Sequence, residues 1–288
     1  MADDWTFVGR KGKASRKPPF KQQPPVDAKE ATFAYKHKAG GRNRLASGDE
    51  KKAHALLAKV KRIVDLMRLS PFHTHLIASL DAEMTVAATC PMQLVCYGLG
   101  SFNSNNAAYQ LACASLIREW MTAHDAIELK HALLYDPIMT QDDNDVATGM
   151  GFDVLSTNEQ GQRRADLKTL FFMPHCGKKL YQNVLLTNWG EDLRHIVLLG
   201  NSFAAYDDRV VAAADRCASI FSAVLPYLRE VSVGKVSKSW DEYVQYDAAF
   251  NDMSLHVFPP EMLQRATADG IFERPVDEFD VGTDEDLM

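Results

Sequence analysis

The sequence predicts an α/β protein with a Rossmann-like three-layer fold and a mostly parallel sheet. Short apolar runs alternate with helix-length segments through the middle of the chain, which is typical of parallel strands buried on both faces. Each run also ends in polar or glycine-bearing residues, as expected at the edge of a sheet where ligands bind. The composition, 46% hydrophobic and 24% charged, is that of a globular protein with a sizeable core.

Two helices are expected before the sheet. Over Glu50–Leu69, apolar residues recur at the i, i+3, i+4 spacing, and lysines and arginines occupy the other face. Ser70-Pro71 ends this helix, and a second is predicted over residues 71–88. Residues 1–48 are rich in Gly, Pro, Lys and Gln, so we expect a disordered basic tail.

Five strands and four helices are predicted for the alternating region. The strands are Gln93–Tyr97, Ala132–Tyr135, Phe152–Leu155, Thr169–Met173 and His195–Leu199. The helices are Asn106–Met121, Gln141–Met150, Lys178–Asn188 and Asp207–Leu228. An edge strand is expected over Glu230–Ser237. The predicted organisation is therefore a basic tail at 1–48, an α/β domain at 49–262 and an acidic tail at 263–288.

The charge of the chain is unevenly distributed. Residues 1–44 carry eleven Lys and Arg against four Asp and Glu, a net +7, whereas residues 271–288 carry seven acids and one Arg, a net −6. Charged ends of this kind are typical of segments that contact protein partners or act as targeting signals. We expect no nucleic acid binding by the core, because the core is acidic and has no RNA-reading aromatic motif.

Three features of the sequence indicate the cellular compartment of the protein. We expect no signal peptide, because Met1–Arg10 has acids and no apolar segment, and no membrane span, because no uncharged apolar run approaches about 18 residues. The five cysteines are odd in number and scattered, which indicates reduced thiols. They are Cys90, Cys96, Cys113, Cys176 and Cys217. These observations predict a location in the cytoplasm or the nucleus.

A glycine-bearing turn follows the first predicted strand. Gly98 and Gly100 permit a tight turn and close backbone approach to a ligand, with Ser101 and a helix N-terminus just beyond. Asp136 ends the second strand, where nucleotide-binding folds place an acid for ribose hydroxyls. The third glycine of G-x-G-x-x-G is Asn103 here, and Asp136 lies 36 residues after Gly100 rather than about 20.

Two interpretations of this turn remain open. It belongs to a site for a nucleotide or an S-adenosylmethionine-like ligand, or its glycines serve only the change of chain direction. An acid found in methyltransferases two residues before the first glycine is replaced by Cys96.

His175 and Cys176 follow the fourth predicted strand. Neighbouring residues at a strand end point to opposite sides, so the two side chains cannot form a nucleophile pair directly. A metal site would need further ligands, and none is expected. The alternatives are that Cys176 packs as a small hydrophobe and that His175 forms a structural hydrogen bond or acts as a ligand contact or general acid/base.

Asn201 and Ser202 follow the fifth predicted strand. They either hydrogen-bond a ligand or cap backbone amides. The predicted ligand-contact residues are therefore Gly98, Gly100, Ser101, Asp136, His175, Cys176, Asn201 and Ser202, with His175 the one candidate for catalysis.

Five segments occur in an order that resembles one known family. They are "CYGLGSF", "LLYDP", "FFMPHC", "LLGNSF" and "AFNDMSLHVF", and the leading "DDWTFVGRKGK" is similar to a short N-terminal motif of its members. The set resembles the sensitivity-to-red-light-reduced (SRR-like) domain family. The resemblance implies a regulatory protein of cytoplasm and nucleus, linked to circadian-clock and red-light signalling in plants and to clock-gene expression and haem biosynthesis in animals. It implies no particular reaction.

Two functional hypotheses follow. The first is a regulatory protein whose Rossmann-like domain binds a small ligand. The alternative is a non-catalytic adaptor that binds protein partners through its charged tails. Haem is a further cofactor to consider, since Cys-Pro dipeptides contact haem in some proteins and Cys90-Pro91 is such a dipeptide.

Overall fold

The computed structural model describes residues 42–84, 89–209 and 219–279, with side chains from residue 51 onward. Within these residues a seven-stranded sheet has the order β3-β2-β1-β4-β5-β7-β6. The strands are β1 (Cys90–Tyr97), β2 (Ile127–Tyr135), β3 (Asp153–Val154), β4 (Lys168–Met173), β5 (Ile196–Asn201), β6 (Arg229–Ser232) and β7 (Met253–Val257). Only β7 runs against the others, pairing antiparallel with both β5 and β6.

Helices cover both faces of the sheet. In the described residues they are α1 (Arg42–Arg68), α2 (Pro71–Glu83), α3 (Asn105–Ala123), α4 (Gln141–Gly149), α5 (Lys178–Thr187), α6 (Phe203–Asp208), α7 (Ile220–Val224), α8 (Tyr243–Phe250) and α9 (Pro260–Ala268). Short 3₁₀ turns lie at Glu191–His195, Leu225–Tyr227, Ile271–Glu273 and Val276–Glu278.

The core lies in two layers, one on each side of the sheet. In β1, Leu94 and Cys96 pack with residues of α1 to α4 and α8, whereas Val95 and Tyr97 pack with residues of α5, α6, α7 and α9. This alternation follows from the two-residue period of a strand. Because both faces are covered, β1 is apolar along nearly its whole length, and the predicted three-layer fold is confirmed.

Local capping chemistry sets where several helices start. The Ser70 hydroxyl accepts a hydrogen bond from the His73 amide at 3.1 Å, and Pro71 occupies the first turn of α2. A reciprocal capping box between Thr140 and Asp143 starts α4. The predicted starts at residues 71 and 141 are therefore confirmed.

The N-terminal helix is longer than predicted. It begins at Arg42 instead of Glu50, so residues 42–48 are helical and do not belong to the predicted tail. No proline lies between residues 25 and 71, and Arg, Leu and Ala in this stretch favour helix. The rest of the predicted tail lies outside the described residues. The second helix ends at Glu83, five residues before its predicted end.

The second half of the chain departs further from the prediction. The helix expected over Asp207–Leu228 is interrupted: α6 covers 203–208, α7 covers 220–224, and residues 210–218 lie outside the described part. Ser219 caps a new helix start inside the predicted span, since its hydroxyl accepts from the Ser222 amide at 3.4 Å, and Ser202 caps the start of α6. The strand β7 was not predicted, because Ser254 and His256 interrupt its apolar pattern, although both are buried.

The folded region continues past residue 262. Leu263 and Ala266 of α9 are buried, and Phe279 beyond it is also buried. Phe272 and Phe279 both pack edge-on against Trp189, with ring centroids 5.3 and 5.2 Å away. The many acidic side chains of this stretch led us to predict a tail, although Leu263, Ala266 and Phe279 are buried.

Candidate functional site

The strand order creates a crevice between the loops that follow β1 and β4. These two strands are parallel neighbours. From β1 the chain continues into α3 on one face of the sheet, and from β4 it continues into α5 on the other face. The two loops therefore diverge, and open parallel sheets bind ligands at such a point.

The loop after β1 needs its glycines for conformational reasons. Gly98 and Gly100 have φ angles of +70° and +79°, in the left-handed region. A Cβ atom at Gly98 would also lie only 2.5 Å from the sulfur of Cys176. The turn thus brings the backbone of one loop into direct contact with the other loop.

Asp136 holds this turn from the end of β2. Its Oδ2 accepts a hydrogen bond from the Gly100 amide at 2.7 Å, and its Oδ1 accepts one from the Ile138 amide at 2.9 Å. The carboxylate therefore has a positioning role in the free protein. Each carboxylate oxygen carries a second lone pair, which keeps it capable of accepting a ligand hydroxyl.

Asp143 is a second anchor of the same loop, and sequence reasoning missed it. It is fully buried, and its Oδ1 accepts a hydrogen bond from the Phe102 amide at 2.8 Å. Its Oδ2 accepts from the Thr140 amide and hydroxyl at 2.9 and 2.8 Å. The T-x-x-D capping pattern at the start of α4 was the available signal.

The loop after β4 contains His175 in an unusual backbone conformation. Its φ of +56° lies in the left-handed region, which is uncommon for residues other than glycine. The His175 amide donates to the Oδ1 of Asn201 at 2.9 Å. Asn201 follows the neighbouring strand β5, so tertiary contact maintains this conformation.

Asn201 is itself held on several sides. Its Nδ2 donates to the Tyr206 hydroxyl at 2.7 Å and to the Cys176 carbonyl at 3.2 Å. Its backbone amide donates to the Tyr181 hydroxyl at 2.9 Å. The side chain is therefore occupied in fixing the loop after β4, and it lines neither of the cavities described below.

Cys176 is buried beneath the crevice. Its thiol donates to the Tyr97 carbonyl at 3.4 Å. Burial raises the pKa of this thiol, and the Asp136 carboxylate adds to the effect. The protonated thiol is a poor nucleophile, so in this arrangement Cys176 packs the two loops together.

His175 is exposed, and it lines the first cavity described below together with Cys176. Desolvation by the protein around it lowers the pKa of His175, while the Ala249 carbonyl and the Asp252 carboxylate act in the opposite direction. The ring is therefore neutral at physiological pH. A neutral imidazole can both donate and accept a hydrogen bond.

The crevice contains a first cavity of about 220 Å³ at the ends of β1 and β2. Four predicted residues line it, namely Gly98, Asp136, His175 and Cys176. The residues that were not predicted are Tyr97, Tyr135, Pro137, Ile138, Asn158, Gly161, Gly177 and Leu180. Two tyrosine rings and three aliphatic side chains among them make much of the wall apolar.

A hydrogen-bonded group supports one wall of the first cavity. The Tyr97 hydroxyl donates to Glu159, whose other oxygen pairs with Arg163 at 2.5 Å. Burial raises the pKa of Tyr97, and the hydrogen bond to Glu159 adds to it. The Asn158 Oδ1 accepts from the Gln160 amide at 2.9 Å and orders the loop after β3.

A second cavity, of about 580 Å³, lies beside the first at the start of α3. Gly98, Ile138 and His175 line both cavities. The remaining lining residues are Leu99, Gly100, Ser101, Asn103, Ser104, Asn106, Ala107, Gln110, Pro174, Ala248 and Asn251. The last two come from α8 and the turn before β7, which the sequence did not connect to the site.

The predicted contact residues therefore fall into two groups. Gly98, Gly100, Ser101, Asp136, His175 and Cys176 line the crevice. Asn201 and Ser202 do not: the Ser202 hydroxyl accepts from the Ala205 amide at 3.0 Å and caps α6. Asn201 supports the loop after β4 from outside the cavities, and Ser202 holds the start of α6.

Other candidate chemistry lies away from the crevice. Cys90 begins β1, at the opposite end of the strand from Gly98.

In residues 42–84, 89–209 and 219–279, no group of three or more His, Cys, Asp or Glu side chains could hold a metal ion. Over the same residues, no helix has the length and apolar character needed to cross a membrane.

Comparison with known proteins finds relatives in plants and animals. The chain is 33% identical over 221 residues to the protein SENSITIVITY TO RED LIGHT REDUCED 1 of Arabidopsis thaliana, which covers 73% of this chain and 77% of the relative. It is 37% identical over 157 residues to an SRR1-like protein of Mus musculus, covering 54% of this chain and 59% of the relative.

An SRR1-like protein of Drosophila melanogaster is 26% identical over 191 residues, covering 63% of this chain and 60% of the relative. The chain thus spans only about three-fifths of these two animal relatives. No solved structure matches it. The profile of the SRR1 domain matches residues 61–257, which include the whole crevice and most of the described fold. The chain therefore belongs to the SRR1 domain family.

Proposed function

We propose that this chain is a regulatory protein whose crevice binds a nucleotide or an S-adenosylmethionine-like ligand. Membership of the SRR1 family supports a regulatory role, and the name of the plant relative refers to red-light sensitivity. We extend the proposal to light or circadian signalling and to the regulation of haem biosynthesis, as the family resemblance implies. We also propose a location in the cytoplasm and the nucleus.

The observation that carries the ligand proposal is the pair of adjoining cavities at the point where the strand order reverses. Ligand pockets of this fold class occur at this point, and they combine apolar walls with a few placed polar groups. The first cavity fits this description, with Tyr97 and Tyr135 among its walls and Asp136 and Asn158 as polar groups.

The sheet topology supports the same proposal. Within the described residues the strand order is β3-β2-β1-β4-β5-β7-β6, so the order along the chain reverses between β1 and β4. Open parallel sheets bind ligands at such a reversal. A fold does not by itself imply a function, so the weight rests on the crevice.

The first test is a thermal-shift measurement on the full chain with S-adenosylmethionine, S-adenosylhomocysteine, ATP, adenosine and NAD. A ligand at 100 times its Kd adds about 2.7 kcal/mol of stability. For a domain of this size that corresponds to a rise in Tm of roughly 5–10 °C. A flat result with every probe, on protein that unfolds cooperatively, would refute the proposed ligand class.

A matched pair of variants assigns a shift to the crevice. Ile138 lines both cavities and is 63% exposed, whereas Val244 lines neither and is 68% exposed. Since both side chains are mostly in solvent, a glutamate at either place leaves the fold intact. We expect Ile138→Glu to remove most of the ligand-induced shift and Val244→Glu to retain it. Equal loss in both would place the ligand elsewhere.

The adaptor hypothesis has its own supporting observation, which is the opposite charge of the chain ends, +7 over residues 1–44 and −6 over residues 271–288. We propose that these ends contact protein partners. Co-purification of the full chain with and without residues 1–41 tests this. Retention of every partner by the shortened chain would exclude the N-terminal part of the proposal.

A further inference from the structure

We propose that the crevice selects a nucleoside with a zwitterionic, amino-acid-like tail over a nucleoside polyphosphate, with the nucleoside in the first cavity and the tail in the second. This inference rests on the proposed function, because it chooses between the two ligand classes named there. It is argued from the charge and hydrogen-bonding chemistry of the two cavities.

The first step concerns charge. Among the described residues, no lysine or arginine lines either cavity. Asp136 lines the first cavity, and its charge repels a polyanion. Phosphate groups are normally bound by Arg, Lys or a metal ion that neutralises them. A triphosphate in this crevice would therefore meet no side chain of opposite charge among the described lining residues.

Lys178, the basic residue nearest in sequence to the loop after β4, does not supply a positive charge to either cavity. Lys178 follows the loop after β4, directly after Gly177, which lines the first cavity. Its ammonium group lies over the ring of Tyr206, 5.3 Å from the ring centroid. Tyr206 lines neither cavity, so this cation is engaged behind the loop.

The second step concerns the groups that the second cavity does offer. Its polar lining consists of uncharged hydroxyl and carboxamide side chains, namely Ser101, Asn103, Ser104, Asn106, Gln110 and Asn251. Carboxamides donate and accept hydrogen bonds, so they can satisfy an ammonium group and a carboxylate alike. Asn106 and Ala107, in the first turn of α3, lie at a helix N-terminus, which favours an anionic group such as a carboxylate.

The third step concerns the junction of the cavities. Of the residues that the structure describes, Gly98, Ile138 and His175 line both. Gly98 brings its backbone to the boundary, where it packs against the sulfur of Cys176. Desolvation lowers the pKa of His175, which favours the neutral ring, so the junction supplies a hydrogen-bonding group.

The size of the cavities agrees with this division. At about 30 Å³ for each water in the liquid, the first cavity of about 220 Å³ holds about seven waters, and the second cavity of about 580 Å³ adjoins it. The tail of a ligand seated in the first cavity can extend into the second, whose lining then decides which tails are accepted.

The test is calorimetric titration of the full chain with three adenosine compounds that differ only beyond the nucleoside. We expect S-adenosylhomocysteine to bind at least ten times more tightly than adenosine, and at least ten times more tightly than ATP. ATP binding as tightly as S-adenosylhomocysteine would overturn the inference and leave the proposed function standing. Equal affinities for adenosine and S-adenosylhomocysteine would overturn the role of the second cavity. If none of the three binds, the proposed function fails and the inference fails with it.

Two neighbouring asparagines provide a matched control. Asn105 and Asn106 are both exposed in the first turn of α3, but only Asn106 lines the second cavity. An aspartate at either position has a similar effect on the helix. We expect Asn106→Asp to weaken the affinity for S-adenosylhomocysteine about fivefold or more and to leave the affinity for adenosine unchanged. Asn105→Asp should weaken the affinity for S-adenosylhomocysteine less. Equal effects of the two substitutions would contradict a tail in the second cavity.

Discussion

The Oδ1 atom of Asn201 accepts a hydrogen bond from the backbone amide of His175 at 2.9 Å, and this contact joins the end of β5 to the loop after β4. The same side chain donates to the Tyr206 hydroxyl and the Cys176 carbonyl. The left-handed conformation of His175 is therefore maintained by a residue 26 positions further along the chain.

The first prediction concerns this contact. Asn201→Ala removes three side-chain hydrogen bonds, to the His175 amide, the Tyr206 hydroxyl and the Cys176 carbonyl, and such a bond contributes roughly 0.5–1.5 kcal/mol. We expect a loss of roughly 1–3 kcal/mol in the free energy of unfolding, measured by urea titration. Asn103→Ala is the control, since Asn103 is exposed and its amide contacts only the Ser101 hydroxyl at 3.2 Å. A loss no larger than in this control would show that the contact contributes little.

The second prediction separates strain from collision at Gly98. Its φ of +70° is matched by Gly270 at +71°, but a Cβ at Gly270 would approach no atom closer than 3.7 Å. Gly270→Ala therefore costs about 1–2 kcal/mol for the backbone alone. We expect Gly98→Ala to cost about 1–3 kcal/mol more, because its Cβ overlaps the sulfur of Cys176.

The collision at Gly98 can be tested directly in a double-mutant cycle. Adding Cys176→Ala removes the sulfur, so we expect it to recover most of the additional loss in Gly98→Ala. Urea unfolding of the two single variants and the double variant gives the coupling energy. Simple additivity of the two substitutions would contradict the close approach of the two loops.

The third prediction concerns the pH dependence of stability through Glu230. Burial by itself would raise the pKa of this carboxyl, but hydrogen bonding and charge from His256, together with hydrogen bonds from Ser202 and the Ala204 amide, lower it to about 2. A carboxyl whose pKa is lower in the folded state stabilises the protein above its unfolded-state pKa of 4.5. That contribution decreases as the pH falls from 4.5 towards 2.

The measurement for Glu230 is urea unfolding of the wild-type protein and Glu230→Gln between pH 7 and pH 3. We expect the wild-type protein to be more stable at pH 7 and the difference to shrink below pH 4.5, because protonation removes the charge that the variant lacks. A difference that stays constant down to pH 3 would mean that Glu230 titrates normally.

The fourth prediction concerns the buried anchor of the glycine turn. Asp143→Ala leaves the amides of Phe102 and Thr140 without their acceptor. We therefore expect the free energy of unfolding to fall by about 2–4 kcal/mol. Asp145→Ala, two residues further along α4, is the control, because Asp145 is exposed and accepts only from Gln141 at 2.8 Å. Urea unfolding compares them, and similar losses in both would contradict the anchoring role.

Much of the crevice could be located from the sequence, because parallel strands place their carboxyl ends at one edge. Gly98, Asp136 and His175 were predicted to share a rim on this ground, and they line the crevice. Asn201 satisfied the same pattern but lies behind the loop. A position in the sequence shows where a strand ends, while the hydrogen-bond partners of a side chain decide whether it faces a ligand.

The sequence by itself determined the three-layer α/β architecture, because the buried strands are apolar runs and the turns between them require glycine, proline or capping residues. Only the tertiary structure decided that β7 lies reversed between β5 and β6, that Asn201 fixes His175, and that α8 closes the second cavity. Each of these depends on contacts between residues distant in the chain. Local patterns of polarity carry no information about such pairings, because many partners satisfy the same pattern.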